Sequence, residues 1–162
     1  QALLEGHHRD IGVIELDPND GEAAPGRRAG CEAYLEQAGI PWSTVRVAVG
    51  HGTTRGGYAA AARLLTDHPW LTGLVCGNDR MAMGAYDAIR ERGLRVREDV
   101  AVIGIDDQEL IADQVHPALT TVALPFEEMG QVAVSLLLDL MEGEEVPAET
   151  LLPGQIIRRS SA

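Results

Sequence analysis

The chain has 162 residues, 45% of them hydrophobic and 23% charged, with a formal net charge of −12. That apolar content excludes a disordered chain, and the length suits a domain that buries roughly 70% of its unfolded surface. No apolar run approaches the roughly 20 residues of a membrane span. The acidity excludes a module that grips DNA by its own charge, because phosphate neutralisation needs a basic surface. Residues 1–10 are polar and charged and do not read as a signal peptide. They start without Met and in mid-pattern, so the chain is read as a fragment of a longer protein.

Residues 11–16 form a short apolar strand. Residues 27–38 follow as a helix that presents Cys31, Tyr34, Leu35 and Ala38 on one face and stops at Gly39. Residues 45–50 are the next strand. Thr53 or Thr54 can cap a helix reaching residue 67, with Tyr58, Ala61, Ala62 and Leu65 inward. Residues 74–76 are a strand, and Asn78 or Asp79 caps a helix that buries Ala82, Ala85, Tyr86 and Ile89 and ends at Gly93. Residues 100–105 are a fourth strand. The segment 106–118 is polar, and a short strand over 119–123 follows it. Pro125 opens a long helix to about residue 142, with Met129, Ala133, Leu136, Leu137 and Leu140 on its expected buried face and Gly143 closing it. An acidic linker, 143–149, leads to a last strand at 155–158.

These strands are nearly continuous apolar runs rather than alternating ones, as expected where both faces are covered in a parallel sheet. Each strand returns after one helix, which makes the crossovers βαβ units. The fold class is α/β, with a doubly wound parallel sheet.

Ligands of such sheets bind beyond the carboxyl ends of the strands. Three strand ends carry suitable groups: the Gly- and Thr-rich turn 50–57, Asn78 with Asp79, and Asp106 with Asp107. An Asn beside carboxylates can hold the hydroxyls of a polyol or sugar, or the edge of a base. The plainer alternatives are N-capping for Asn78 or Asp79 and a solvated turn for Asp106 and Asp107. Arg27 and Arg28 fall at a helix start, where the macrodipole disfavours cations, so at least one calls for a partner: a ligand, a pocket carboxylate or a surface ion pair. Gly50, Gly52 and Gly56 are spaced GxGxxxG and no GK[ST] follows, so no nucleotide cofactor is assigned. Cys31 and Cys76 read as buried free thiols, and the five His residues lack metal-ligand spacing, so no metal is assigned. No Ser-His-Asp or Cys-His arrangement emerges, and no enzyme activity is assigned.

Several pieces, in order, resemble the C-terminal part of LacI/GalR-type transcription regulators. They include Arg27-Arg28-Ala29-Gly30, Gly56-Gly57-Tyr58, the run from Gly77-Asn78-Asp79 to Gly84, and Val102-Ile103-Gly104-Ile105-Asp106-Asp107. The runs from Gly93 to Val100 and from Pro117 to Val122, the Glu128-Met129-Gly130 helix and the Ile157-Arg158-Arg159-Ser160 end also match. The resemblance implies a type I periplasmic-binding-protein-like fold in which two subdomains clasp a small effector. It divides the chain into residues 1–16, a remnant of the N-terminal subdomain; 17–123, the C-terminal subdomain; 124–146, a helix of the N-terminal subdomain; and 147–162, a return to the C-terminal one.

It further implies effector contacts at Arg27, Asn78 and Asp106. The chain departs from the pattern at Gly52, where several relatives place an aromatic ring that stacks on the ligand, and at Leu124, where some carry Gln. The implied function is the sensing part of a cytoplasmic repressor, a homodimer that binds DNA through a helix-turn-helix head outside this chain. A small molecule, with a sugar as first expectation, modulates operator binding through subdomain closure. The alternative is the solute-binding protein of a sugar transporter, which has the same fold.

Overall fold

The computed structural model describes residues 2–19, 21 and 23–162. Six strands form one sheet: β1 (Ile11–Glu15), β2 (Arg46–Val49), β3 (Gly73–Cys76), β4 (Ala101–Asp106), β5 (Thr120–Ala123) and β6 (Gln155–Ile157). Their order is β2-β1-β3-β4-β5-β6. All pairs are parallel except β5 with β6. The helices are α1 (Ala2–Glu5), α2 (Ala23–Gln37), α3 (Thr54–Asp67), α4 (Asp79–Glu91) and α5 (Phe126–Glu142), with a 3-10 turn at Trp42–Thr44.

The sheet separates two apolar cores, and strand alternation assigns residues to each. Ile14, Leu74, Cys76 and Val102 pack with α3 and α4 on one face. Ile11, Val13, Ala101 and Ile103 pack with Leu3 of α1 and Leu35 of α2 on the other. The α3–α4 contact is close because two glycines permit it. A Cβ on Gly84 would sit 2.0 Å from the Thr54 carbonyl oxygen, and one on Gly57 2.3 Å from that of Met81. Any larger residue would push the helices apart.

Local signals place the starts of α3 and α4 well. The Thr53 hydroxyl accepts from the Gly56 N–H at 3.0 Å. Of the two candidate caps before α4, Asn78 serves, its Oδ1 accepting from the Met81 N–H at 2.9 Å. The expected inward residues of α4 are all buried.

Four expectations differ from the structure. Helix α2 begins at Ala23, so Arg27 and Arg28 lie in its second turn and not at its start. On its expected apolar face Leu35 is buried, Cys31 half-buried and Tyr34 exposed. On α5 the expected buried face is open: Met129, Leu137 and Leu140 are exposed, and no residue of the helix is buried. Its periodicity records an apolar surface, but among the described residues no other element covers it. Finally, residues 11–15 are the second strand of the sheet, hydrogen-bonded on both sides, which sets them apart from the expected separate N-terminal remnant at 1–16.

Candidate effector site

The chain runs from β1 outward to β2 and then back across β1 to β3. Helix α2 makes the first crossover on one face, and α3 makes the second on the other. This reversal opens a crevice beyond the carboxyl ends of β1 and β3, where doubly wound sheets bind ligands. Arg27 on α2, Asn78 after β3 and Asp106 at the end of β4 all border that end of the sheet.

Arg27 and Asp106 meet directly. Arg27 Nη2 lies 2.8 Å from Asp106 Oδ1, and Nη1 donates to the Gly77 carbonyl. Both side chains are partly open, 23% and 14% exposed, so the pair can still be reached by a solute. Asp106 and its neighbour Asp107 have φ of 113° and 53°. That left-handed backbone costs a non-glycine residue on the order of 1–3 kcal/mol and persists only where the surroundings hold it. The holders are visible. Gln108 Nε2 lies 3.3 Å from Asp106 Oδ2, and Arg159 Nη2 lies 2.7 Å from Asp107 Oδ1.

Asn78 is buried and already engaged. Besides capping α4, its Nδ2 donates to the Gly52 carbonyl at 3.0 Å, tying the end of β3 to the turn after β2. One lone pair on its carbonyl oxygen and one amide hydrogen remain for a ligand. Asp79, the other candidate there, points inward and is fully buried. Its Oδ1 accepts from the Thr121 hydroxyl at 2.6 Å and its Oδ2 from the Gln108 N–H at 2.8 Å. Burial pushes its carboxyl above the usual range, and those two hydrogen bonds oppose the shift.

The rim carries pairs that sequence reasoning missed. Glu15, buried at the end of β1, takes Arg28 at 3.1 Å, and Arg28 also lies over the Trp42 ring. Asp17 pairs with His51 Nδ1 at 3.0 Å. The Asn19 backbone N–H, with help from His51, holds the Asp17 carboxyl below its usual range. These ion pairs join residues 13 and 34 positions apart, and no local spacing announces them. The expectation that an arginine here needs a partner is met by carboxylates for both Arg27 and Arg28.

An apolar cleft of about 240 Å³ opens beside the pair, with Arg27, Glu15, Leu16, Gly77 and Ile105 among its walls. It is smaller than the roughly 300–1,000 Å³ of typical ligand pockets. The site therefore offers one wall with a guanidinium, carboxylates and an amide, suited to competing donor and acceptor groups on a polar ligand. Burial pushes the Cys31 thiol up to about 11 and the buried Cys76 thiol higher still, away from the reactive thiolate. Among the described residues, no three His, Cys, Asp or Glu side chains gather as a metal site, and no helix is long and apolar enough to cross a membrane.

Comparison with known proteins places the chain in a family. The model of the periplasmic binding protein-like domain matches residues 1–162. The HTH-type transcriptional repressor PurR of Yersinia pestis bv. Antiqua (strain Antiqua) is 39% identical over 164 residues, covering 99% of this chain and 47% of that protein. The lac repressor bound to ONPG in its repressed state superimposes with a TM-score of 0.90 at 32% identity, over 99% of this chain and 48% of that one. The transcriptional regulator CelR in complex with cellobiose gives 0.90 at 34% identity, over 99% and 49%. The chain thus spans about half the length of these relatives. It belongs to the periplasmic binding protein-like domain family, in the form carried by LacI/GalR-type transcription regulators.

Proposed function

We propose that this chain is the effector-sensing part of a cytoplasmic, homodimeric transcription repressor that binds a small polar molecule, with a sugar as first candidate. The observation that carries the reading is the partly open Arg27–Asp106 pair at the crevice where the strand order reverses. Arg27, Asn78 and Asp106 are the proposed effector contacts. Arg27 offers fixed donors, Asp106 acceptors, and Asn78 one of each. The cellobiose bound to CelR is what makes a sugar the first candidate.

The second lobe of the clasp is read from α5. The chain leaves the sheet at Ala123 and re-enters at Gln155, and these two residues are register partners. The excursion therefore departs from and returns to the effector end. It carries a 17-residue helix with no buried residue, which suits a helix that packs into a second, N-terminal lobe. Residues 124–146 are assigned to that lobe, and 147–162 return to this one. An effector that favours the closed arrangement of the lobes shifts the geometry of a DNA-binding head outside this chain. It can do so only by its differential affinity for the two states, and no covalent step is involved.

The test uses the complete protein. Its affinity for its operator is measured with and without saturating cellobiose, ribose or lactose, followed by the same titration in Arg27→Ala. A sugar-dependent change that Arg27→Ala abolishes is expected. A change of operator affinity that is indifferent to Arg27 contradicts this site.

A further inference from the structure

Asp79 is fully buried and reaches two elements at once: the backbone N–H of Gln108 in the loop after β4, and the hydroxyl of Thr121 in β5. It can do so because its neighbour across the sheet is glycine. A Cβ on Gly104 would lie 2.1 Å from Asp79 Oδ1, and Gly104 is the register partner of Thr121. The carboxyl thus crosses β4 to reach β5. Gln108, whose N–H it accepts, also contacts Asp106 through its side chain. Asp106 and Asp107, both non-glycine and both left-handed, directly precede Gln108. Backbone of this kind needs outside support, and Asp79, fully buried, supplies it at the Gln108 N–H.

We propose that Asp79 is a positioning residue: its carboxylate fixes the backbone of Gln108, and through it the strained loop that presents Asp106 to Arg27. The assignment of Asp106 as an effector contact rests on the proposed function, whereas the positioning itself is read without any effector. Thr121 orients the carboxyl from the other side. A carboxamide can make the same two bonds, its oxygen accepting from Gln108 and its nitrogen donating to the Thr121 hydroxyl. An alanine makes neither.

The test is heteronuclear NMR of the full chain and its variants, following amide exchange at Gln108 and the guanidinium resonances of Arg27. In Asp79→Ala, Gln108 is expected to lose protection by at least about tenfold, and Arg27 to lose the slowed guanidinium rotation of a held ion pair. Asp79→Asn is expected to restore both. A purely structural role would lower stability without moving Arg27, and would not distinguish Asn from other well-packed replacements. Thr121→Val, which keeps the shape and removes only the hydroxyl, is expected to loosen the Gln108 amide in part, and it decides the question where Asp79→Ala does not fold. An unaltered Gln108 amide in Thr121→Val, an unaltered Arg27 signal in a folded Asp79→Ala, or an Asp79→Asn that behaves like Ala overturns the proposal. Failure of the effector reading leaves these resonances unaffected, so the two outcomes are separable.

Discussion

The guanidinium of Arg27 lies 2.8 Å from the carboxylate of Asp106, joining α2 to the end of β4 across the crevice of the sheet. The two residues are 79 positions apart, and Asp106 adopts a φ of 113° to make the contact. Replacing Asp106 therefore separates two effects. Asp106→Gly relieves the backbone strain and is expected to hold or raise thermal stability, by up to about 1 kcal/mol. Asp106→Ala keeps the strain. Both are expected to weaken effector binding by about ten- to a hundredfold, the range for a hydrogen bond to a charged group. Calorimetric titration with thermal melts checks both, and unchanged effector affinity removes Asp106 from the site.

The α3–α4 contact supplies a packing prediction. Gly84→Ala places a methyl 2.0 Å from the Thr54 carbonyl oxygen and 2.6 Å from the Tyr58 nitrogen, both of them backbone. Backbone cannot swing aside, so the helices must separate. A loss of roughly 1–3 kcal/mol is expected in denaturant unfolding. Gly30→Ala is the control, since a Cβ there meets nothing within 4 Å.

Helix α5 yields the opposite expectation. Leu137 is 56% exposed, so Leu137→Gln is expected to change the stability of this chain by less than about 0.5 kcal/mol. Leu74, fully buried, is expected to cost about 2–5 kcal/mol when cut to alanine. If a second lobe covers α5 in the complete protein, Leu137→Gln becomes clearly destabilising there. Equal tolerance in both contexts contradicts that lobe.

Two carboxylates give pH effects of opposite sign. The Arg95 side chain, and after it the Arg95 backbone N–H, pull the Asp99 carboxyl down to about 2 from its ordinary 3.8. Its stabilisation is present above the ordinary value and is lost as pH falls through about 2. Asp99→Asn should therefore lower stability at neutral pH and match the parent near pH 2. Burial raises the Asp79 carboxyl instead. Its favourable contribution is full below 3.8 and fades as pH rises through the folded value, so the parent's advantage over Asp79→Asn should shrink with rising pH. Paired urea titrations from pH 2 to pH 7 check both slopes.

Much of this was legible in the sequence, for physical reasons that also mark where legibility ends. The strand positions follow from short apolar runs covered on both faces, and the caps Thr53 and Asn78 from local hydrogen bonding. The period of α5 identified its apolar residues but not whether anything covers them, because periodicity describes a helix and not its neighbour. Asn78 and Asp79 were equivalent candidates as caps. What separates them is the space over Gly104, a tertiary fact. The Glu15–Arg28 and Asp107–Arg159 pairs arise only once the sheet brings distant strand ends together. The departure at Gly52 was visible as a missing ring. In the structure Gly52 adopts a φ of 64° and lends its carbonyl to Asn78.

The reading as a repressor's sensing region is tested most directly by sequencing the coding DNA immediately upstream of this segment. The expected result is an α/β half-domain preceded by a basic helix-turn-helix of roughly 50–60 residues, at the lower end of domain sizes. A half-domain preceded by a secretory signal peptide would contradict the repressor reading and make the ligand of Arg27 and Asp106 a transported cargo.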